Sequence, residues 1–191
     1  MIKVGVLDLQ GSVIEHIEML DKIEGVQPVR VKYGHQIDEI DGLIIPGGES
    51  TTIGKLLKAF KMDSILKDRI EKGMPVWGTC AGMILIAKEI DGEEDAHLKL
   101  MNIDVKRNAY GSQLGSFVVE ESIPEICNEP IPLVFIRAPY IETIGNGVKV
   151  IKKVDGKIVA ARERNMLVTS FHPELTDNQL LHKYFINSFF S

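Results

Sequence analysis

Cysteine is nearly absent from this chain: its 191 residues hold two, at positions 80 and 127. Two thiols make neither a zinc-ribbon quartet nor the disulfide framework of a small secreted domain. The expected compartment is therefore the reducing cytoplasm, where a cysteine matters as a thiol. Positive charge is also in deficit, with 22 Lys and Arg against 27 Asp and Glu and a net charge of −5. Without clustered basic residues the chain lacks the electrostatic footprint of a nucleic-acid binder. No apolar run approaches the ~18 residues that a membrane span needs. The opening stretch Ile2-Lys3-Val4-Gly5-Val6-Leu7-Asp8-Leu9 carries charges and has no basic leader with a small-residue cleavage site. No nucleic-acid partner and no membrane are expected. Internal repeats and linkers rich in Pro, Gly or Ser are missing too. With 45% apolar residues, one domain over residues 1–191 with a substantial core is the simplest reading.

What is present is alternation. Residues 2–8 predict a strand, and Ser12-Val13-Ile14-Glu15 matches a capping box opening a helix with Ile14, Ile17, Leu20 and Ile23 on its apolar side. Residues 26–31 predict a second strand, near a sheet edge because of Pro28, and 42–46 a buried third. Helices are expected over 50–60 and 63–72, with Gly73 at a C-cap, then a strand over 75–78 and a helix over 81–90. This order argues for βαβ units and a parallel sheet covered on both faces. The second half differs, with strands expected over 98–106, 114–120, 131–137, 147–154, 157–163 and 165–171. Val154-Asp155-Gly156-Lys157 marks a hairpin, and a closing helix begins near Asp177. The fold class expected is α/β, a mostly parallel core with an antiparallel extension.

Three stretches could carry chemistry. Gly78-Thr79-Cys80-Ala81-Gly82 joins a strand to a helix as Gly-x-Cys-x-Gly, the thiol counterpart of the nucleophile elbow. Small residues let strand and helix backbones approach, and a helix N-terminus favours a thiolate. The alternative is a buried cysteine in a structural turn. His172-Pro173-Glu174 follows an apolar strand, and in an extended segment residues 172 and 174 share a side. The Glu can then orient the imidazole, as in the base half of a triad; taken alone, the string also fits a surface turn. Pro46-Gly47-Gly48-Glu49-Ser50 runs from a strand into a helix start, leaving backbone N–H groups for an anion. No Gly-Lys-Ser/Thr accompanies it, so an oxyanion hole fits better than a phosphate cradle, with donors at Gly48 and Ala81.

Elsewhere the simpler readings hold. His16 belongs on a helix surface or at a partner contact, and Asp91 to His97 reads as a solvated acidic loop without EF-hand spacing. Cys127 has no motif, and Gln10 faces either the site or a partner.

Taken together, Gly78-Thr79-Cys80-Ala81-Gly82-Met83 and His172-Pro173-Glu174 resemble the class I glutamine amidotransferases of triad type. Gly5-Val6-Leu7-Asp8-Leu9-Gln10-Gly11, Pro46-Gly47-Gly48-Glu49-Ser50-Thr51 and Phe135-Ile136-Arg137-Ala138-Pro139 narrow the resemblance to the glutaminase subunits of pyridoxal 5′-phosphate synthases. The resemblance implies a flavodoxin-like three-layer fold, and hydrolysis of L-glutamine to glutamate and ammonia with no cofactor and no metal. It makes Cys80 the nucleophile that forms a γ-glutamyl thioester, His172 the base and Glu174 its orienter. Gly47, Gly48, Glu49, Arg107, Ile136 and Arg137 would bind glutamine, Arg107 being suited to clamp a carboxylate, although from the sequence alone it also reads as a solvated surface arginine. The chain departs from the family at Ser112-Gln113, where an Arg commonly precedes the Gln. Ammonia must be shielded from protonation, and 191 residues leave no room for a synthase domain. The implied partner is a separate synthase subunit in a hetero-oligomer, working on a pentose and a triose phosphate. Two other classes are disfavoured. A cysteine peptidase or thiol-dependent stress protein would place a His directly after the cysteine, where this chain has Ala81. A binding module without activity would have lost a triad member.

Overall fold

The computed structural model describes residues 1–91, 95–107 and 115–190. The first half alternates as the apolar pattern requires: β1 (Ile2–Leu7), α1 (Val13–Asp21), β2 (Val26–Val31), β3 (Gly42–Ile45), α2 (Ser50–Ala59), α3 (Asp63–Glu71), β4 (Val76–Thr79) and α4 (Ala81–Ile86). The second half is strand-rich: β5 (Ala87–Ile90), β6 (Met101–Lys106), β7 (Ser116–Ile123), β8 (Cys127–Ile136), β9 (Tyr140–Ile144), β10 (Lys149–Val154), β11 (Lys157–Glu163) and β12 (Met166–Thr169), closed by α5 (Leu180–Phe189).

The main sheet runs β2-β1-β3-β4-β12-β11-β9-β6-β5, with β10 paired to β11. From β2 to β12 all neighbours are parallel, and β11 begins the antiparallel extension. Side chains alternate between faces along each strand. Val4, Val6, Ile44, Trp77 and Leu167 join one core with α1, α5 and the β7–β8 ribbon. Leu7, Leu43, Ile45, Val76 and Val168 join another with α2, α3 and α4. Helices on both faces of a mostly parallel sheet make the expected three-layer α/β fold. Pro28 lies on β2, an edge strand, as its missing N–H demands. Among the described residues no helix is long and apolar enough to cross a membrane.

Six expectations are corrected. The helix expected over 81–90 stops at Ile86, because Ala87 turns to extended backbone and residues 87–90 pair in parallel with β6. Strand β9 lies in a stretch for which no element was expected, held by antiparallel pairing to β6. The strand expected over 165–171 ends at Thr169, and the last helix begins at Leu180. On α1 the buried residues are Val13, His16, Met19 and Leu20, while Ile14 is 57% exposed. Ser12 precedes that helix without a side-chain cap, so the capping box does not form. Of the strand expected over 114–120, residue 114 lies outside the described residues.

Candidate active site

The loops after β1, β3, β4 and β12 meet at the C-terminal edge of the parallel strands, where open α/β sheets place their ligands. They surround a cleft of about 460 Å³ lined by Gln10, Gly47, Gly48, Glu49, Cys80, Ala81, Arg107, Ile136, Arg137 and His172, among others. Every residue predicted for the site is on this lining except Glu174, which is buried behind His172.

Cys80 sits between β4 and α4 with φ +48° and ψ −103°, a left-handed conformation that costs a non-glycine residue about 1–3 kcal/mol. The Cys80 N–H donates to Thr169 O at 2.8 Å, and the Met83 N–H donates to Cys80 O at 3.1 Å, which holds the turn. Close backbone approach explains the flanking glycines. A Cβ on Gly82 would lie 2.1 Å from Ile45 O, and one on Gly78 2.5 Å from the Gly82 carbonyl. A Cβ on Gly47 would lie 2.3 Å from His172 Cε1, so the β3 loop is packed directly against the imidazole.

His172 comes after β12, and its N–H donates to Val134 O at 2.8 Å. The segment is not extended, as expected, but turns into a 3-10 helix over Pro173–Leu175. That turn carries the carboxylate back to the ring, with His172 Nδ1 2.7 Å from Glu174 Oε1. Burial alone disfavours the imidazolium, but hydrogen bonds to Cys80 and Glu174 and their charges outweigh it and raise His172 to about 10. Burial likewise opposes the Glu174 carboxylate. The His16 ring facing it, the His172 imidazolium, and hydrogen bonds from His172 and Ser12 outweigh it and hold Glu174 down at about 2.

These shifts give stability a pH window. Glu174, at about 2 against an ordinary 4.5, adds stability that is present above 4.5 and lost as pH falls through 2. His172, raised from 6.5 to about 10, adds stability present below 6.5 and lost as pH rises through 10. The expected thermal midpoint is flat between these limits and falls on either side. Glu174→Gln should flatten the acid limb in a calorimetric pH series, and an unchanged acid limb would refute the assignment.

Residues 6–191 match the SNO glutamine amidotransferase family. The chain is similar to the pyridoxal 5′-phosphate synthase subunit PdxT of Clostridium botulinum (strain Loch Maree / Type A3), 62% identical over 99% of this chain and 98% of that one. The subunit of the same name from Ruminiclostridium cellulolyticum is 55% identical over 97% and 98%. The chain belongs to the SNO glutamine amidotransferase family. A solved glutamine amidotransferase structure superposes with a TM-score of 0.90 at 40% identity, covering 96% of this chain and 97% of that one. PurLQS from Thermotoga maritima shares the fold alone, at a TM-score of 0.69 and 18% identity over 98% of each chain.

The remaining candidate residues also lie around the cleft. The Glu49 carboxylate caps α2, accepting from Thr52 N–H at 2.9 Å and from Thr52 Oγ1 at 2.8 Å. These bonds hold it below the usual carboxylate range. Its backbone N–H donates to Gln10 Oε1 at 2.7 Å, so Gln10 faces the site and braces the glycine loop. Arg107 Nη1 donates to Thr51 Oγ1 at 3.3 Å at the cleft wall. Ile136 O lies 3.9 Å from Cys80 Sγ, and Arg137, at φ +42°, donates its N–H to Gly115 O. Residues 108–114, including Ser112-Gln113, lie outside the described residues, as do 92–94 of the acidic loop. Asp91 at its edge pairs with Lys106 at 3.3 Å. Among the described residues no metal-ligand cluster forms. Cys127 is half-buried, and its Sγ accepts the Glu129 N–H at 3.4 Å.

Three residues beside the candidate triad escaped the sequence reading. The Ser12 hydroxyl donates to Glu174 Oε1 at 2.7 Å, which is why it does not cap α1. His16, expected on a helix surface, is fully buried, with Nε2 3.5 Å from Glu174 Oε2. His182 on α5 lies behind it, Nε2 3.0 Å from His16 Nδ1. A signal existed in part: positions 12 and 16 share a helix face at i,i+4 spacing. Nothing local connects them to residues 174 and 182.

Proposed function

We propose that this chain is the glutaminase component of a pyridoxal 5′-phosphate synthase: one domain over residues 1–191, working in the cytoplasm and delivering ammonia to a separate synthase subunit. The family and the names of the relatives support the assignment, and the observation that carries the chemistry is Cys80 and His172 lining one cleft with Glu174 2.7 Å behind the imidazole. The Cys80 sulfur attacks the side-chain amide carbon of L-glutamine with its proton already held on His172, which stands protonated as an imidazolium at about 10. The carbonyl oxygen gains charge in the tetrahedral intermediate. Ala81 is the first residue of α4, so its N–H has no intrahelical acceptor and suits that oxygen. Gly47 O accepts from Ser12 N–H at 3.0 Å, so the planar peptide turns the Gly48 N–H away from Ser12. The intermediate collapses to the γ-glutamyl thioester as the His172 imidazolium protonates the departing ammonia. Water, deprotonated by His172, then attacks the thioester and releases glutamate and the thiol. Glu174 keeps Nδ1 protonated throughout, leaving Nε2 to work.

Ammonia is useful only where an acceptor is docked, and docking is expected to complete the oxyanion hole by moving the Gly47–Gly48 peptide. Steady-state ammonia release from glutamine should rise about 10²-fold when the synthase subunit is added, the scale of one oxyanion donor. Equal rates with and without it would remove the activation claim. No release under either condition would remove the glutaminase assignment.

A further inference from the structure

Behind Glu174 lies a part of the core that the hydrolysis above does not use. His16 from α1 and His182 from α5 are both fully buried, edge-on to Trp77 with ring centroids 5.8 and 4.9 Å away. Two imidazoles without solvent are poor core formers unless their nitrogens are used. Glu174 Oε1 is occupied by Ser12 and His172, whereas Oε2 is buried and among the described residues has no hydrogen-bond partner. The group facing Oε2 is His16 Nε2, which also lies 3.3 Å from Thr79 Oγ1.

The carboxylate orders the protons behind it. A lone pair on His16 Nε2 would be repelled by the Glu174 anion, so Nε2 carries the hydrogen and Nδ1 is the acceptor. His182 Nε2 then donates across the 3.0 Å gap. The chain ends at His182 Nδ1, a buried atom with no partner among the described residues. Burial keeps His16 below 6.5 in spite of Glu174, and His182 well below it, so both act as neutral rings. The titratable groups around His16 are Glu174 and His172 at the 3-10 turn, His182 on α5 and Glu15 on α1 itself.

We propose that His16, held in this tautomer by His182, is a positioning residue for the glutaminase reaction: its Nε2–H steers the second oxygen of Glu174, and so the line along which Oε1 holds His172. The inference rests on the glutaminase reading, and its test separates the two. Three variants, His16→Met, His16→Gln and His182→Phe, are assayed in complex with the synthase subunit for kcat, KM, the pH profile of kcat/KM and thermal midpoint. His16→Met has similar volume but no donor, and kcat should fall about 10- to 100-fold, as for a misplaced catalytic group. KM for glutamine should barely move, because His16 is not part of the cleft lining. The alkaline limb, set by His172 near 10, should move to lower pH as Glu174 loosens. His16→Gln restores an N–H near Nε2 and should recover most of kcat and the limb. His182→Phe keeps the ring volume but frees the His16 tautomer, giving an intermediate loss and an independent reading if His16→Met does not fold. Equal losses in the Met and Gln variants, tracking thermal midpoint with the limb unmoved, would overturn the proposal and leave His16 a packing residue. A wild-type complex that releases no ammonia overturns the glutaminase reading and this inference together.

Discussion

Replacing Cys80 by Ala should lower glutamine-dependent ammonia release by about 10⁵-fold or more, the scale on which enzymes lose a covalent nucleophile. His172 and the oxyanion donors would remain, but a thioester cannot form without sulfur. Folding should be almost unaffected. Alanine meets the same left-handed backbone that cysteine already tolerates at φ +48°, and the lost atom is one sulfur at the cleft wall. A normal thermal midpoint with abolished turnover is therefore expected, which separates chemistry from stability. An electrophilic glutamine analogue should label Cys80, read by peptide mass spectrometry, and leave Cys127, which is not on the cleft lining, untouched. Ammonia release persisting in Cys80→Ala would end the assignment.

Gly82→Ala should produce the largest stability loss of any single methyl added to this chain's elbow. The new Cβ would sit 2.1 Å from Ile45 O and 3.0 Å from Ile45 C, both backbone atoms of β3. β3 is locked between β1 and β4, so no flexible side chain can yield. Helix α4 must instead lift from the sheet, at a cost of about 3 kcal/mol. For a chain of this length that lowers the thermal midpoint by about 6–12 °C. Turnover should fall as well, because Cys80 N–H is tied to Thr169 O and moves with the turn. Gly73→Ala is the control. Gly73 has φ +105° with open space around it, so only the backbone term of about 1–2 kcal/mol applies. A loss in Gly82→Ala no larger than that in Gly73→Ala would show that the close approach to Ile45 does not explain Gly82.

The candidate site was legible because it is local. Gly-x-Cys-x-Gly needs only the geometry of one strand-to-helix turn, and residues 172 and 174 meet within a single turn of chain. The reason offered for that pair was wrong in detail, since a 3-10 turn rather than extended backbone closes the 2.7 Å contact. Strands β5 and β9 were missed because each is stabilised by its ladder to β6 more than by its own pattern. Ala87–Ile90 continues a helical apolar run, and only the partner strand turns it into a ladder.

Ser12 shows the limit most clearly. By local rules its hydroxyl belongs on the N-terminus of α1, yet it is spent on a carboxylate 162 residues away. His16 carries no surface role because its partner stands 166 residues further along the chain. The sequence by itself determined the α/β class, the elbow and the triad candidates, since short-range backbone geometry and apolar periodicity carry that information, while the family came from the resemblance of its motif strings. Only the tertiary structure decided what stands behind Glu174. Buried polar groups take whichever partner the packed core brings within hydrogen-bond reach, and that choice has no counterpart in spacing along the chain.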